Sequence, residues 1–259
     1  MNKISSLNIN IQLNKSSSIK EPLLLLTLLK VKGIGNKRIV DWVLNCGLDF
    51  NKCLNLSDKQ LLEFANNIED VIEEIKYNQS LGISIVTIFG KSFPDSLYTS
   101  INKCTYLYYK GDIKLLNRPS VAVIGSTKPQ TKMILPGKNI TKELCSKYVI
   151  VSGLAVGCDT IAHQTCLENK GKTIAILPSP IHDILPKINN NLASQIIKHG
   201  GLLLSEYGYS LKPNDKALPK RYIDRDRIQS FLSDFVVVID ADDQSGTKYA
   251  VKQSIHDHK

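Results

Sequence analysis

The sequence predicts an α/β fold, a parallel sheet with helices on both faces preceded by a small all-helical domain. Three observations carry this reading. From residue 118 onward, apolar runs at 121–124, 149–151, 173–177, 202–204 and 235–239 alternate with helix-like patterns at 139–146, 160–169, 191–198, 225–232 and 248–255. The runs are nearly uninterrupted, as strands buried on both faces require. Two of them break directly into glycine-bearing turns: Val121-Ala122-Val123-Ile124 into Gly125-Ser126-Thr127-Lys128, and Val149-Ile150-Val151 into Ser152-Gly153-Leu154-Ala155-Val156-Gly157-Cys158-Asp159.

The remaining elements follow along the chain. Residues 1–20, rich in Asn, Ser and Lys, have little to bury and read as a flexible tail. In residues 21–80 apolar side chains recur at helical spacing at 23–29, 39–44, 61–65 and 71–75, with turn residues between them, which gives the helical domain. Inside it, Val31-Lys32-Gly33-Ile34-Gly35-Asn36-Lys37-Arg38-Ile39 places two glycines between helices and cations after them. This is the pattern of a helix-hairpin-helix turn, in which backbone amides around Gly33 and Gly35, with Lys37, meet a DNA phosphate. The same residues also suit a plain helical corner with solvated cations, since interhelical turns often contain Gly. Residues 81–117 carry strand-like segments at 83–88 and 106–109 around the turn Phe93-Pro94-Asp95, and read as a β-containing connector packing on the main sheet. Residues 118–259 form the Rossmann-like domain.

With 259 residues, 42% hydrophobic and 22% charged, the chain has the composition of an ordinary globular protein and room for one large domain or two modest ones. A formal charge of +9 favours polyanionic partners, nucleic acid ahead of an acidic membrane surface. The six cysteines form no CxxC pair and no disulfide-like framework, so they read as reduced, and the expected location is cytoplasmic. The apolar run at 23–29 is too short to span a bilayer and no cleavable leader precedes it, so no membrane association is expected.

In a parallel sheet the turns after the strands gather at the carboxyl edge, where glycine admits a ligand close to the backbone and helix N-termini favour an anion. Gly125, Ser126, Ser152, Gly153 and Gly157 are the candidate phosphate contacts. Lys128, Lys172, Arg221, Arg225 and Arg227 flank these strands and are expected to converge on the same edge as a cationic pocket able to track a sugar-phosphate backbone. Ser245-Gly246-Thr247 offers hydroxyls and amides to a further phosphate, or an ordinary helix cap. Asp159 reads as a helix cap, and Glu206 as an ion-pair partner that orients Arg225 or Arg227. His163 is expected to be packed or solvent-facing. No Cys/His grouping has metal-ligand spacing and no Ser has an evident His and acid partner, so no catalytic residue, metal or cofactor is expected.

The order of these motifs over residues 23–256 resembles the DNA-processing protein A family (DprA, also called Smf). The matching residues are Phe93-Pro94, Tyr108-Tyr109-Lys110-Gly111, the two glycine turns, Ala162-His163, Gly171-Lys172-Thr173-Ile174-Ala175, Leu203-Leu204-Ser205-Glu206-Tyr207, Arg225-Asp226-Arg227-Ile228 with Leu232-Ser233-Asp234, and Ser245-Gly246-Thr247. The resemblance implies a homodimer that binds single-stranded DNA without cutting it and loads a RecA-type recombinase during natural transformation. It also implies a helical domain of helix-hairpin-helix or SAM-like type. The chain departs from the family at Thr127 and Val156, where Arg is usual or frequent, and at Asp226, where Asn is usual. A nucleotide-sensing module is the alternative reading. A nucleotide phosphoribohydrolase is a further one, set against the lack of a Pro-Gly-Gly loop followed by a Glu-bearing helix.

Overall fold

The computed structural model describes residues 17–46, 56–99, 103–209 and 218–241. Ser17–Leu29 (α1), Asn36–Cys46 (α2) and Asp58–Ser80 (α3) come first. α1 begins inside the stretch read as tail, because Leu23 and Leu26 bury against Val71 and Ile75 of α3 while Leu25 and Leu28 face the main core. The patterns at 61–65 and 71–75 belong to one helix of 23 residues. The stretch between them reads as a break in the sequence, yet it continues the helix, with Asn66, Glu69 and Asp70 exposed and Ile68 packed against the core. A capping box starts α3: Ser57 Oγ accepts from Gln60 N at 3.3 Å and Gln60 Oε1 accepts from Ser57 N at 3.2 Å.

Next come Ser84–Thr87 (β1), Asp95–Thr99 (α4), Tyr106–Gly111 (β2), Ser120–Ile124 (β3), Thr131–Leu144 (α5), Val149–Ser152 (β4) and Cys158–Glu168 (α6). Thr173–Leu177 (β5), Asn190–Lys198 (α7), Leu202–Ser205 (β6), Leu218–Leu232 (α8) and Phe235–Val238 (β7) complete the described elements, with short 3-10 turns at Ile113–Asn117 and Lys187–Asn189. The strands form one seven-stranded sheet in the order β1-β2-β6-β5-β4-β3-β7. The five from β6 to β7 are parallel, the doubly covered α/β arrangement read from the sequence. The connector strands join this sheet by hydrogen bonds. β1 is antiparallel to β2, and β2 antiparallel to β6 with Tyr108 opposite Ser205. The amino end of β2 therefore lies beside the carboxyl end of β6.

Successive strand residues alternate between two cores. Val121, Val123 and Ile150 pack with Cys158, Ala162 and Cys166 of α6, and Leu177 and Leu203 with Leu192 and Ile196 of α7. On the other face Val149, Val151, Ile174, Ile176, Leu202 and Leu204 share one cluster with Ile228 and Phe231 of α8 and with Leu25, Leu28, Ile39 and Phe64 of the helical region. Cys104, Cys145, Cys158 and Cys166 are buried and unbridged. Among the described residues no helix is long and apolar enough to cross a membrane.

Two helices start earlier than the sequence pattern indicates. α5 runs through Pro136 and Gly137, and a Cβ on Gly137 would lie 2.6 Å from Ile239 Cγ2, so the glycine lets this helix approach the end of β7. The buried stripe of α8 runs through Arg221, Arg225, Ile228 and Phe231. Its first two turns thus bury arginines where an apolar periodicity would show. The helix expected at 248–255 lies outside the described residues.

Candidate nucleic-acid interface

The loops leaving β3 and β4 are locked together by the backbone. Ser126 N donates to Asp240 O at 2.7 Å, Cys158 N donates to Ser126 O at 3.0 Å, and Ser126 Oγ accepts from Lys128 N at 3.0 Å. Gly157, at φ +80°, caps α6 with its Cα against the next loop; a Cβ would sit 2.5 Å from Ser126 O. Leu154 also has a positive φ, 59°, and its carbonyl accepts from Asn189 Nδ2 at 2.8 Å. A non-glycine residue held there marks strained backbone maintained by its surroundings. Ser152 sits at this edge with its hydroxyl buried, donating to Val123 O at 2.7 Å.

Beneath these turns α8 places its arginines. Arg225 Nη1 lies 3.2 Å from Asp159 Oδ2, and Arg225 Nε 2.7 Å from Asp226 Oδ1. Arg227 Nη2 donates to Glu206 Oε2 at 2.7 Å. The guanidinium of Arg221 lies 5.4 Å from the ring centre of Tyr207 and that of Arg225 5.6 Å from Tyr222, within cation–π range. Gly153 makes room for this packing: a Cβ there would fall 1.2 Å from Arg225 Nη1. Burial raises the Asp159 carboxyl despite Arg225 beside it, and pushes Asp226 up to about 6, with Arg225 opposing and Asp159 reinforcing. His163 is fully buried, its Nδ1 2.7 Å from Thr173 Oγ1; burial and then Arg225 push it down to about 3, so the ring is neutral.

These positions refine the expected pocket. Glu206 orients Arg227. Asp159 is not the helix cap expected of it, since Gly157 holds that position and Asp159 lies in the first turn of α6; its carboxylate instead accepts from Ala155 N at 3.2 Å and pairs with Arg225. The pocket is a network of paired charges rather than a bare cationic surface. Lys128 is exposed at the carboxyl edge. Lys172 is not at that edge: it precedes β5, at the amino edge, where its Nζ donates to His199 O at 2.6 Å. Ser245, Gly246 and Thr247 lie outside the described residues.

A cleft of about 570 Å³ opens between the helical region and this edge. Lys37 and Asn36 line it from α2, Lys103 from the segment before β2 and Tyr106 from its first position, Glu206 and Tyr207 from the β6 loop, and Asp224 and Arg227 from α8. Gly33, at φ +82°, and Gly35 lie in the turn before α2; Gln60 Nε2 braces that turn by donating to Lys32 O at 3.2 Å, and Arg38 Nη1 donates to Gly33 O at 3.4 Å. Asn36 Oδ1 accepts from Thr105 Oγ1 at 2.7 Å, and Lys103 pairs with Asp41 at 2.9 Å, tying α2 to the approach of β2. Lys37 and Arg227, read from separate motifs, thus share one cleft. Lys103 and Tyr106 have no local signal, since only the antiparallel placement of β2 beside β6 brings them there. Among the described residues no three His, Cys, Asp or Glu side chains are grouped to hold a metal ion.

The family model described as DNA recombination-mediator protein A matches residues 84–259. DNA processing protein DprA of Bacillus subtilis is 33% identical over 176 residues, covering 67% of this chain and 58% of that protein. The Streptococcus pneumoniae protein of the same name is 33% identical over 171 residues, covering 66% and 59%. The chain therefore spans less than two thirds of the length of these relatives. The solved structure of S. pneumoniae DprA superposes with a TM-score of 0.75 at 27% identity, over 92% of this chain and 84% of that one. That of Helicobacter pylori DNA processing protein A, described for its single-stranded DNA binding mode, gives 0.59 at 31% identity over 68% and 78%.

Proposed function

We propose that this chain, which belongs to the DNA recombination-mediator protein A family, binds single-stranded DNA along the carboxyl edge of its sheet without cutting it, and as a cytoplasmic homodimer delivers the strand to a RecA-type recombinase. The observation that carries the reading is the placement of two α8 arginines: Arg225 packs beneath the β4 glycine turn against Asp159, and Arg227 lines the cleft that Lys37 faces from the other side. Each guanidinium has five donors in a fixed fork, so one already paired with a carboxylate can still grip a phosphate oxygen. Asp159 and Glu206 hold Arg225 and Arg227 in place before DNA arrives, which lowers the ordering cost of binding. Contacts of this kind track the backbone and carry no sequence information.

The test is fluorescence anisotropy of a labelled oligothymidine across a salt series, with Arg225→Ala, Arg227→Ala and Lys37→Ala beside the parent. Binding should fall with salt at a slope of roughly −0.7 per phosphate contacted, and each variant should bind more weakly. Lys172→Ala, at the opposite edge, should bind as the parent does. Absence of salt-sensitive binding to single strands overturns the proposal. The cleft of about 570 Å³ supports a second reading, a nucleotide sensor, because it has the volume of a small-ligand site. Thermal stabilisation by a mononucleotide with no response to oligonucleotides would favour it.

A further inference from the structure

Three rings from three separate segments meet at the surface beside the carboxyl edge. Tyr77 stands near the end of α3, His182 in the loop after β5 and Tyr209 in the loop after β6. The ring centroids of Tyr77 and Tyr209 are 4.1 Å apart, and His182 lies 5.8 Å from each. None belongs to the core: Tyr77 is 38% and Tyr209 50% exposed, and His182 is exposed as well. We propose that Tyr77, His182 and Tyr209 form a stacking platform for unpaired bases of the single strand whose phosphates engage the α8 arginines. This deepens, and rests on, the single-stranded DNA reading above.

The platform is built by the fold. Glu74, fixed by the Tyr108 hydroxyl donating to its Oε1 at 2.5 Å, lies three residues before Tyr77 and on the same side of α3. Gly208 runs over that pair with no room for a side chain, since a Cβ would lie 2.3 Å from Tyr108 Oη and 2.5 Å from Glu74 Oε1. This close approach sets the next residue, Tyr209, onto Tyr77. Ile181, buried against the α7 face of the sheet, anchors the loop that presents His182.

Position and chemistry name the occupant. Tyr209 is three residues beyond Glu206, the partner of Arg227, so at most about 11 Å of chain separates the rings from the arginine network. Exposed rings beside phosphate-gripping cations are the combination that holds single strands, because every base offers a π-face and stacking tolerates any sequence. Aromatic rings in a protein core would be covered; these present their surface to solvent.

The test compares an oligothymidine with an abasic oligomer of equal length, binding to the parent, to Tyr77→Ala/Tyr209→Ala, to the matching Phe pair and to His182→Ala. Loss of stacking should weaken oligothymidine binding by the Ala pair about 5- to 150-fold, leave the salt slope unchanged and leave abasic binding as in the parent. The Phe pair, which keeps both rings, should bind normally. His182→Ala, in an exposed loop, should show a smaller loss with oligothymidine alone. Ala variants that bind oligothymidine as the parent does, or that lose both oligomers equally while Phe variants do the same, overturn the platform. A parent that binds neither oligomer overturns the DNA reading itself, and the platform with it.

Discussion

The substitution Asp226→Asn tests the charge network under the glycine turns. The aspartate side chain is 13% exposed, lies 2.7 Å from Arg225 Nε and accepts from Gln229 Nε2 at 3.0 Å. Burial is the largest influence on this carboxyl and lifts it from 3.8 to about 6. A folded-state value above the unfolded one means that folding favours the protonated acid. The contribution is complete below about 3.8 and is lost as pH rises through about 6. That interval, at about 1.4 kcal/mol per tenfold, is about 3 kcal/mol. An asparagine side chain does not ionise, so the variant should gain on the parent by about that much between about pH 3 and 7.5, or about 6–12 °C in melting temperature for a chain of this size. Melting curves of both proteins across the range measure it, and the other titrating groups largely cancel in the difference. A constant difference would mean that Asp226 is solvated. A parent that gains on the variant as pH rises would mean that Arg225 outweighs burial and holds the carboxyl low. The variant should also bind oligothymidine more tightly at neutral pH, since Arg225 then faces one carboxylate fewer.

Two further substitutions probe the same edge. Gly153→Ala puts a Cβ 1.2 Å from Arg225 Nη1, so it should expel the guanidinium, leave Asp159 buried without its partner and cost about 3–5 kcal/mol; an unchanged melting temperature would refute the packing described. Thr127→Arg adds a cation to an exposed position beside Ser126, and should tighten oligothymidine binding and steepen the salt slope by about 0.7. An unchanged slope would place the DNA path away from the β3 turn.

How far the sequence reveals the molecule depends on what each stretch buries. The parallel strands were legible because both of their faces are covered and almost every residue is apolar, as in Val121-Ala122-Val123-Ile124. α8 was legible only in its second half, since Arg221 and Arg225 occupy the positions where apolar residues would mark a buried helical face. The pairing of Glu206 with an arginine was legible because both sit in adjacent motifs of one family pattern. The opposite placement of Lys172 was missed because a residue one position before a strand sits a full strand length from the carboxyl edge. The shared cleft of Lys37 and Arg227, and the meeting of Tyr77 with Tyr209, depend on which strands neighbour which. Sheet order is not written in any local pattern.

The arginines of α8 also explain why a net charge of +9 says little about the binding surface itself. Arg225 and Arg227 are buried, and each faces at least one carboxylate, so their charge is largely neutralised before any ligand arrives. An unpaired guanidinium at that depth would carry a desolvation penalty of several kcal/mol. The carboxylates offset part of that penalty and fix the forks in direction. On the proposed reading, long-range attraction comes from exposed cations such as Lys37 and Lys128, and short-range grip from the buried arginines. The two roles make different demands on salt. Removing an exposed lysine should chiefly slow association and lower the salt slope, whereas loosening a buried arginine through Asp159 or Glu206 should chiefly speed dissociation.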